Sequence, residues 1–566
     1  MRHTILAIAV LVAMPVSLFA RSHVEVGKAI NAQDAALVSK AIQNEKSTLA
    51  EIRKCTPIVE TYIQRDTAEA NGSGDPVSDY YFISRAEVKK ALDADVFTLR
   101  DQQKTRVRRG LGGISMLVRT KNGVYQPDGF LDMLTPDQKH FDRNHYNFRY
   151  AGREFLGSVR THVFDVESKR HSQGSFTGRI WVEDDGGNIV RFDGTFEGDH
   201  NPSHPKYLHF DSWRTNVRPG LWLPSAIFTE DQVESTELKA VTHFWGYSLV
   251  NAAAVDESAN TSIHVDDAKD VSSDSPDVSP IEATHLWYSL AETNILNRLT
   301  SAGVVAPPSK FDAVLEQIAT NIMVPNNINF SSPIHCRIIL TAPLEATTAG
   351  DTILLSKGLI DSMPNEESLA SIIAMELAHL ELGHRIDTAY AFSDRLEFQD
   401  DATYLRLKLR HSNKDNAAAA AKAVDLLKNS IYSKKLASAG LFYEQLAVSA
   451  KTLHSLTDAQ LGDSLLKENG TPWLSVLETG APKLDESNLS QVAALPLGSN
   501  TVTNPWTDRV RLIDATRYAP GGTFDKMPFE VTPVYYRLTR YGSTDKQPAT
   551  ASEAEKADNP VTTASR

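Results

Sequence analysis

The chain has few cysteines, little clustered positive charge and, beyond its first twenty residues, no long apolar run. Each shortage excludes something. Two cysteines, Cys55 and Cys336, in 566 residues allow at most one disulfide. They fall in different predicted modules, although an oxidising compartment would leave them free to pair. The formal net charge of -13 is the wrong sign for nucleic-acid binding, and Arg106 to Arg109 is the one basic run that stands out. That run reads as a solvated loop, and the Gly110-Leu-Gly-Gly113 behind it is too weak a pattern to mark a phosphate site. No segment after the N-terminus is long and apolar enough to form a transmembrane helix in the mature chain. No cysteine follows the N-terminal apolar run, so a bacterial lipoprotein anchor has no support, and no internal repeat stands out.

What is present begins with an export signal. Arg2, an apolar run from Ile5 to Phe19 and the small Ala20 have the layout of a secretory signal peptide over residues 1–20, cleaved after Ala20. That predicts a soluble periplasmic or extracellular protein, long enough for three or four modules. Residues 21–135 are read as an N-terminal helical region, because Asp34 to Gln64 is rich in Ala, Lys and Glu in a helical pattern. Residues 136–250 change character. Phe176, Gly178, Ile180 and Val182 alternate with Thr177, Arg179, Trp181 and Glu183, Asp184-Asp-Gly-Gly187 makes a turn, and Val190, Phe192 and Phe196 continue the period of two. With the flanking runs Phe155 to Val166 and Leu208 to Thr215, this predicts a meandering antiparallel sheet.

The polar, acidic stretch from Asn251 to Pro280 cannot bury a core, and 251–285 is read as a linker separating the sheet from the next module, 286–450. A C-terminal region, 451–542, is punctuated by Leu495-Pro-Leu-Gly498 and Asn504-Pro-Trp506 and ends near an extended arm, Phe529 to Thr539. Residues 543–566, rich in Ala, Thr, Glu and Lys, are expected to form a disordered tail.

Within 286–450, residues 375–379 read Met-Glu-Leu-Ala-His, which is HExxH with methionine in the first histidine's place. On an α-helix residues four apart sit one above the other, so two histidines at that spacing reach one metal while the Glu addresses a bound water. Catalytic zinc takes three protein ligands plus that water, whose pKa it lowers to about 7. Glu376 holds the general-base place and His379 the second-ligand place. Met375 is a degenerate ligand position, since a thioether is soft and suits Cu(I) rather than Zn²⁺. Leu369, Ile372, Ile373, Leu377 and Leu380 recur at helical spacing, Asn365 is an N-cap candidate, and Glu366 and Glu367 complement the first-turn dipole. Four good ligands bind zinc with roughly 10–16 kcal/mol, so one missing donor costs about two to three decades of affinity.

The stretch Asp351 to His384, with Gly358-Leu359, an acidic helix start, the HExxH-like run and His384 five residues on, resembles the HtpX-type and CAAX-prenyl-protease-type zinc endopeptidases, metallopeptidase family forty-eight. The similarity runs from about Leu286 to about Ala450. The resemblance implies a gluzincin-like domain, a zinc cofactor and a third ligand, a Glu in an E-x-x-x-D pattern on a later helix. Two placements compete for it: Glu397-Phe-Gln-Asp400-Asp401, and the helix from Asn416 to Leu427, where the ligand position falls near Asn416 and the sequence is alanine-rich. His384 could join a site only if the helix ends before it, which Gly383 allows. The middle region, on GRIWVEDDGGNIVRFDGTF (Gly178 to Phe196), resembles LolA-type lipoprotein carriers, whose curved sheet is an open half-barrel. A plain structural β-domain is the alternative, and either way the inner face needs a cover, a helix or a lipid chain.

The expected fold class is thus multidomain α+β, an antiparallel β half-barrel-like domain followed by a mainly helical gluzincin-like metallopeptidase domain. Two functions follow. One is a zinc endopeptidase cleaving protein or peptide with Glu376 as base, His379 as a ligand, and Glu397, Asp400, Asp401 or His384 completing the site. The other is a catalytically inactive pseudoprotease that binds envelope proteins, lipoproteins or lipids. The ligand changes point away from metal, and no His or Cys stands four residues from His379 to replace the lost one.

Overall fold

Period-two alternation pairs strands in sequence, and in the computed structural model it builds one large antiparallel sheet. The structure describes residues 28–69, 72–86, 88, 118–120, 123–125, 127–170, 174–196, 209–233, 236–247, 280–301, 303–306, 308–386, 408–484, 501–504 and 509–512. The signal segment, the Arg106 to Arg109 run with its glycines, most of the acidic linker, the Glu397 to Asp401 motif, the Phe529 to Thr539 arm and the tail lie outside the described residues.

The chain enters through β1 (Lys28–Ala29) and helix α1 (Ala32–Ile52), then β2 (Ile58–Glu69) and β3 (Gly72–Arg85). A small hairpin, β4 (Val118–Thr120) with β5 (Gly123–Tyr125), and a 3₁₀ helix η1 (Pro127–Leu134) precede the meander. The meander runs through β6 (Tyr146–Leu156), β7 (Val159–Ser168), β8 (Phe176–Glu183), β9 (Ile189–Phe196), β10 (His209–Arg218), β11 (Leu221–Val233) and β12 (Thr236–Trp245). The ten-stranded order is β1-β6-β7-β8-β9-β10-β11-β12-β2-β3.

This corrects the reading of 21–135 as a helical region. The helix stops at Ile52, and Ile58 to Gln64 is strand, paired residue for residue with β12. Pro57 removes a backbone donor and Ile58, Val59, Tyr62 and Ile63 prefer the pleated surface, so composition rich in Ala, Lys and Glu describes only the first part of that segment.

One face of the sheet is covered by α1, which starts at Asn31 with a capping box to Asp34. Its buried stripe of Val38, Ala41, Ile42, Leu49 and Ile52 packs with Phe164, Phe176, Phe192, Phe210 and Phe244 of the strands and with Phe130, Leu131 and Leu134 of η1. Glu45 lies in the same stripe and is held by Arg214 through both carboxylate oxygens, at 2.6 and 2.7 Å, with Thr135 Oγ1 donating at 2.8 Å. Helix side chains therefore provide the cover that the sheet requires.

The other face, at the β11-β12-β2-β3 end, carries a lobe. It comprises α2 (Pro280–Ser301), α3 (Lys310–Met323), 3₁₀ helix η2 (Val324–Asn326), β13 (His335–Ile339), β14 (Glu345–Ala349), β15 (Thr352–Ser356), α4 (Lys357–Ser362), α5 (Glu366–Glu381) and α6 (Asn413–Lys428). It continues with 3₁₀ helix η3 (Ile431–Lys434), α7 (Leu436–Ser449), α8 (His454–Thr457), β16 (Asp463–Ser464) and 3₁₀ helix η4 (Ser475–Gly480). Its sheet order is β13-β15-β14-β16, parallel only between β13 and β15. A last hairpin joins β17 (Thr501–Asn504) to β18 (Arg509–Leu512).

Sheet and lobe share cores, so the linker does not hold them apart as expected. Along β2 and β12 alternate residues divide: Val59, Ile63, Ala240 and Phe244 face α1, whereas Tyr62 and Val241 join Leu344, Ala374 and Leu456 of the lobe. Glu60 accepts the Ala342 amide at 2.7 Å and lies 2.8 Å from His243 Nδ1. Asp79 accepts the Ser455 and Leu456 amides at 2.9 and 2.7 Å and the Tyr62 hydroxyl at 3.2 Å. The predicted break at residue 450 also fails, because β16 completes the lobe's sheet by pairing with β14. The two cysteines are free, each buried in a separate core, and burial pushes the Cys55 and Cys336 thiols up to about 11 and about 12. No helix among the described residues is long and apolar enough to cross a membrane.

Candidate site around Glu376 and His379

Helix α5 begins where the sequence says it should. Asn365 has extended backbone and accepts the Ser368 amide at 2.9 Å, with Glu366 and Glu367 in the first turn. It stops through Gly383, in the left-handed region at φ 67°. The Gly383 amide donates to the Leu380 carbonyl at 3.1 Å and the His384 amide to the His379 carbonyl at 3.0 Å, the paired bonds of a Schellman turn. That turn folds His384 back, leaving its Nδ1 3.1 Å from His379 Nδ1.

Met375, Glu376 and His379 are all buried on α5. His411, just ahead of α6, lays its ring on His379 with centroids 3.9 Å apart. Asp463 of β16 gathers this cluster. Its Oδ2 lies 2.6 Å from His411 Nδ1, and its Oδ1 accepts the His411 amide at 2.9 Å and Asn416 Nδ2 at 3.0 Å. With Nδ1 protonated toward Asp463, His411 Nε2 accepts from Thr348 Oγ1, 3.3 Å away. The loop that delivers Asp463 is itself anchored. Buried Glu345 accepts the amides of Gln460, Leu461 and Gly462 at 2.7, 2.7 and 3.0 Å and the Thr341 hydroxyl at 2.8 Å.

Burial shifts the titration of these groups. Desolvation, with the like charge of Asp463 adding to it, raises the Glu376 carboxyl well above the usual carboxylate range. Burial thus works against the ionised form that a general base needs. Desolvation, then His411, drives His379 down to about 3, so its imidazole is neutral. His384 is lowered too, by burial and His411 against the opposing pull of Asp415. Asn416 lies within reach of the His379 ring. Even so, Asn416 Oδ1, His379 Nε2 and Glu376 Oε2 are buried without a well-formed hydrogen bond. A cavity of about 10 Å³ is bounded by Ile372, Met375, Glu376, Tyr443, Asp463, Ser464, Leu465, Trp473 and Leu474.

The structure thus brings together Met375, Glu376, His379 and His384, and of the two competing third positions it puts Asn416 beside His379. Glu397, Asp400 and Asp401 lie outside the described residues. Sequence reasoning missed His411 and Asp463. Ser412 with Asp415, three residues on, is a readable helix start that would have placed His411 at the entry of α6. Asp463 has no local signal. Among the described residues these donors do not fit zinc: a thioether stands in an imidazole's place, a carboxamide lies beside His379, and His411 is committed to Asp463 and Thr348. Among the described residues, no group of three or more His, Cys, Asp or Glu is arranged to hold a metal ion.

No protein-family model matches the chain, and no curated protein matches it. Solved structures show distant, partial likeness. A LolA superfamily protein from Nitrosomonas europaea is similar at 13% identity and TM-score 0.18, over 39% of this chain and 94% of that one. A DUF1329 family protein from Desulfovibrio piger is similar at 13% identity and TM-score 0.21, over 40% of this chain and 98% of that one. The Pseudomonas aeruginosa MucA/MucB complex is similar at 8% identity and TM-score 0.12, over 38% of this chain and 94% of that one. The first is of the kind that Gly178 to Phe196 resembles in sequence. Likeness this faint carries no argument about mechanism, and none of these comparisons adds to the metallopeptidase resemblance.

Proposed function

We propose that this chain is a pseudoprotease of the cell envelope, a protein that keeps a protease-shaped lobe and uses it to bind rather than to cut. The observation that carries this reading is Met375 in the first ligand's place on a buried helix face, with Glu376 buried beside it near Asp463 and, at one of the two competing third-ligand positions, the amide of Asn416 beside His379. Metal-assisted hydrolysis needs an ionised base beside a cation that lowers the pKa of water. Burial, and Asp463 after it, both oppose the ionised form of Glu376.

The client class is envelope proteins, including lipoproteins. The export-type N-terminus and the resemblance of the middle region support it. Because α1 and η1 side chains fill the face of the sheet where an acyl chain would lie, a polypeptide client held by the outer surfaces is favoured over a lipid held inside. The deciding measurement is elemental analysis of purified mature protein, together with casein cleavage by it and by Glu376→Gln. Metal-poor protein that cleaves no casein is the expected result. Near-stoichiometric zinc with chelator-sensitive, Glu376-dependent cleavage would falsify it.

A further inference from the structure

We infer that His140 and His145, side by side in the loop between η1 and β6, form a two-imidazole site for a borderline divalent cation such as Zn²⁺. The loop packs into the core under α1, apart from the core that holds Met375, so the inference does not rest on the pseudoprotease reading. Two aspartates fix the shape of this loop. Asp137 Oδ1 accepts the Lys139 and His140 amides, each at 2.8 Å, and its Oδ2 accepts the Tyr146 hydroxyl at 2.6 Å. Asp142 Oδ1 accepts the Asn144 and His145 amides at 2.8 and 3.0 Å, and Phe141 is buried against Tyr146 and Phe148.

The same Asp142 Oδ1 lies 2.8 Å from His145 Nδ1. With Nδ1–H donating to that carboxylate, His145 keeps its Nε2 lone pair for a ligand, which is how a carboxylate orients a metal-binding histidine. His140 is exposed and its ring makes no hydrogen bond among the described residues, so either of its nitrogens is available. The two ring centroids stand 5.0 Å apart. Two imidazoles on one tetrahedral ion, each nitrogen about 2.0–2.1 Å from the metal, have ring centres about 5 Å apart. The pair already stands at that spacing, and His140, at the surface, has room to turn a nitrogen toward His145 Nε2. Imidazole suits zinc, copper and nickel, whereas Mg²⁺ and Ca²⁺ take oxygen donors. Two imidazoles with water in the remaining positions hold such an ion in the micromolar range, so it exchanges and is lost on dialysis.

The test is calorimetric titration of the chelator-treated, dialysed protein with zinc chloride, beside His140→Gln, His145→Gln and Asp142→Asn, with circular dichroism confirming that each folds. A dissociation constant on the order of 10 µM is expected for the parent, weakened about a hundredfold by either glutamine. Asp142→Asn keeps an oxygen for the two amides but loses the carboxylate, and should weaken binding about tenfold. Magnesium chloride should give no binding heat. In the unaltered protein, zinc should shield His140 and His145 together from diethyl pyrocarbonate, read by peptide mass spectrometry. Zinc binding unchanged in either glutamine variant, or zinc that shields neither imidazole, overturns the assignment. That outcome leaves the pseudoprotease reading standing, since zinc on this loop has no bearing on Glu376-dependent casein cleavage.

Discussion

At the scale of single residues, the degenerate-site reading rests on Met375 and, under one of the two placements of the third ligand, on Asn416, both weaker donors than the resemblance calls for. Met375 stands in an imidazole's place one helical turn before His379, and Asn416 comes in from α6 beside the same ring. Each weak donor costs about two to three decades of zinc affinity, so repairing one leaves the site too weak to fill. The double variant Met375→His with Asn416→Glu should therefore retain zinc through dialysis while neither single variant does, as read by elemental analysis. A double variant that stays metal-free would show that these two positions do not converge on one ion.

At the scale of elements, the ends of α5 matter as much as its face. Asn365 fixes where it starts, and Gly383 fixes both where it stops and where His384 goes. A Cβ built at Gly383 meets nothing within 4 Å, so left-handed backbone strain is the only cost of adding one. Gly383→Ala should lower stability by about 1–2 kcal/mol in chemical denaturation. It should also loosen the contact of His384 with His379, seen as a change in their imidazole NMR signals. An unchanged denaturation midpoint would mean that the turn is not locked as described.

At the scale of the whole molecule, one sheet serves two masters: α1 on one face, the lobe on the other. The lobe is held by apolar packing and by two buried carboxylates of the sheet, Glu60 and Asp79, that accept backbone amides from it. Because an amide buried without an acceptor costs about 1–3 kcal/mol, Asp79→Ala should destabilise sheet and lobe alike. Tryptophan fluorescence, weighted toward the sheet, and far-ultraviolet circular dichroism, weighted toward the helices, should fall together and at a lower temperature than in the parent. Separate transitions for the two probes would show that the shared core does not couple them.

What the sequence determined by itself was local. The start and stop of α5, the order of the meander and the companionship of Met375, Glu376 and His379 all follow from neighbours within about one or two turns or one hairpin, where propensity, capping and period act directly. The segment Ile58 to Gln64 was misread because its helix-rich surroundings outweighed its own β-branched and aromatic residues. Only the tertiary structure decided what closes the pocket. His411 and Asp463 are 52 residues apart, and their meeting depends on Glu345 gathering the 460–462 amides and on β16 pairing with β14. Such contacts leave no periodicity in the chain, because their geometry is fixed by loop closure and burial rather than by adjacent residues.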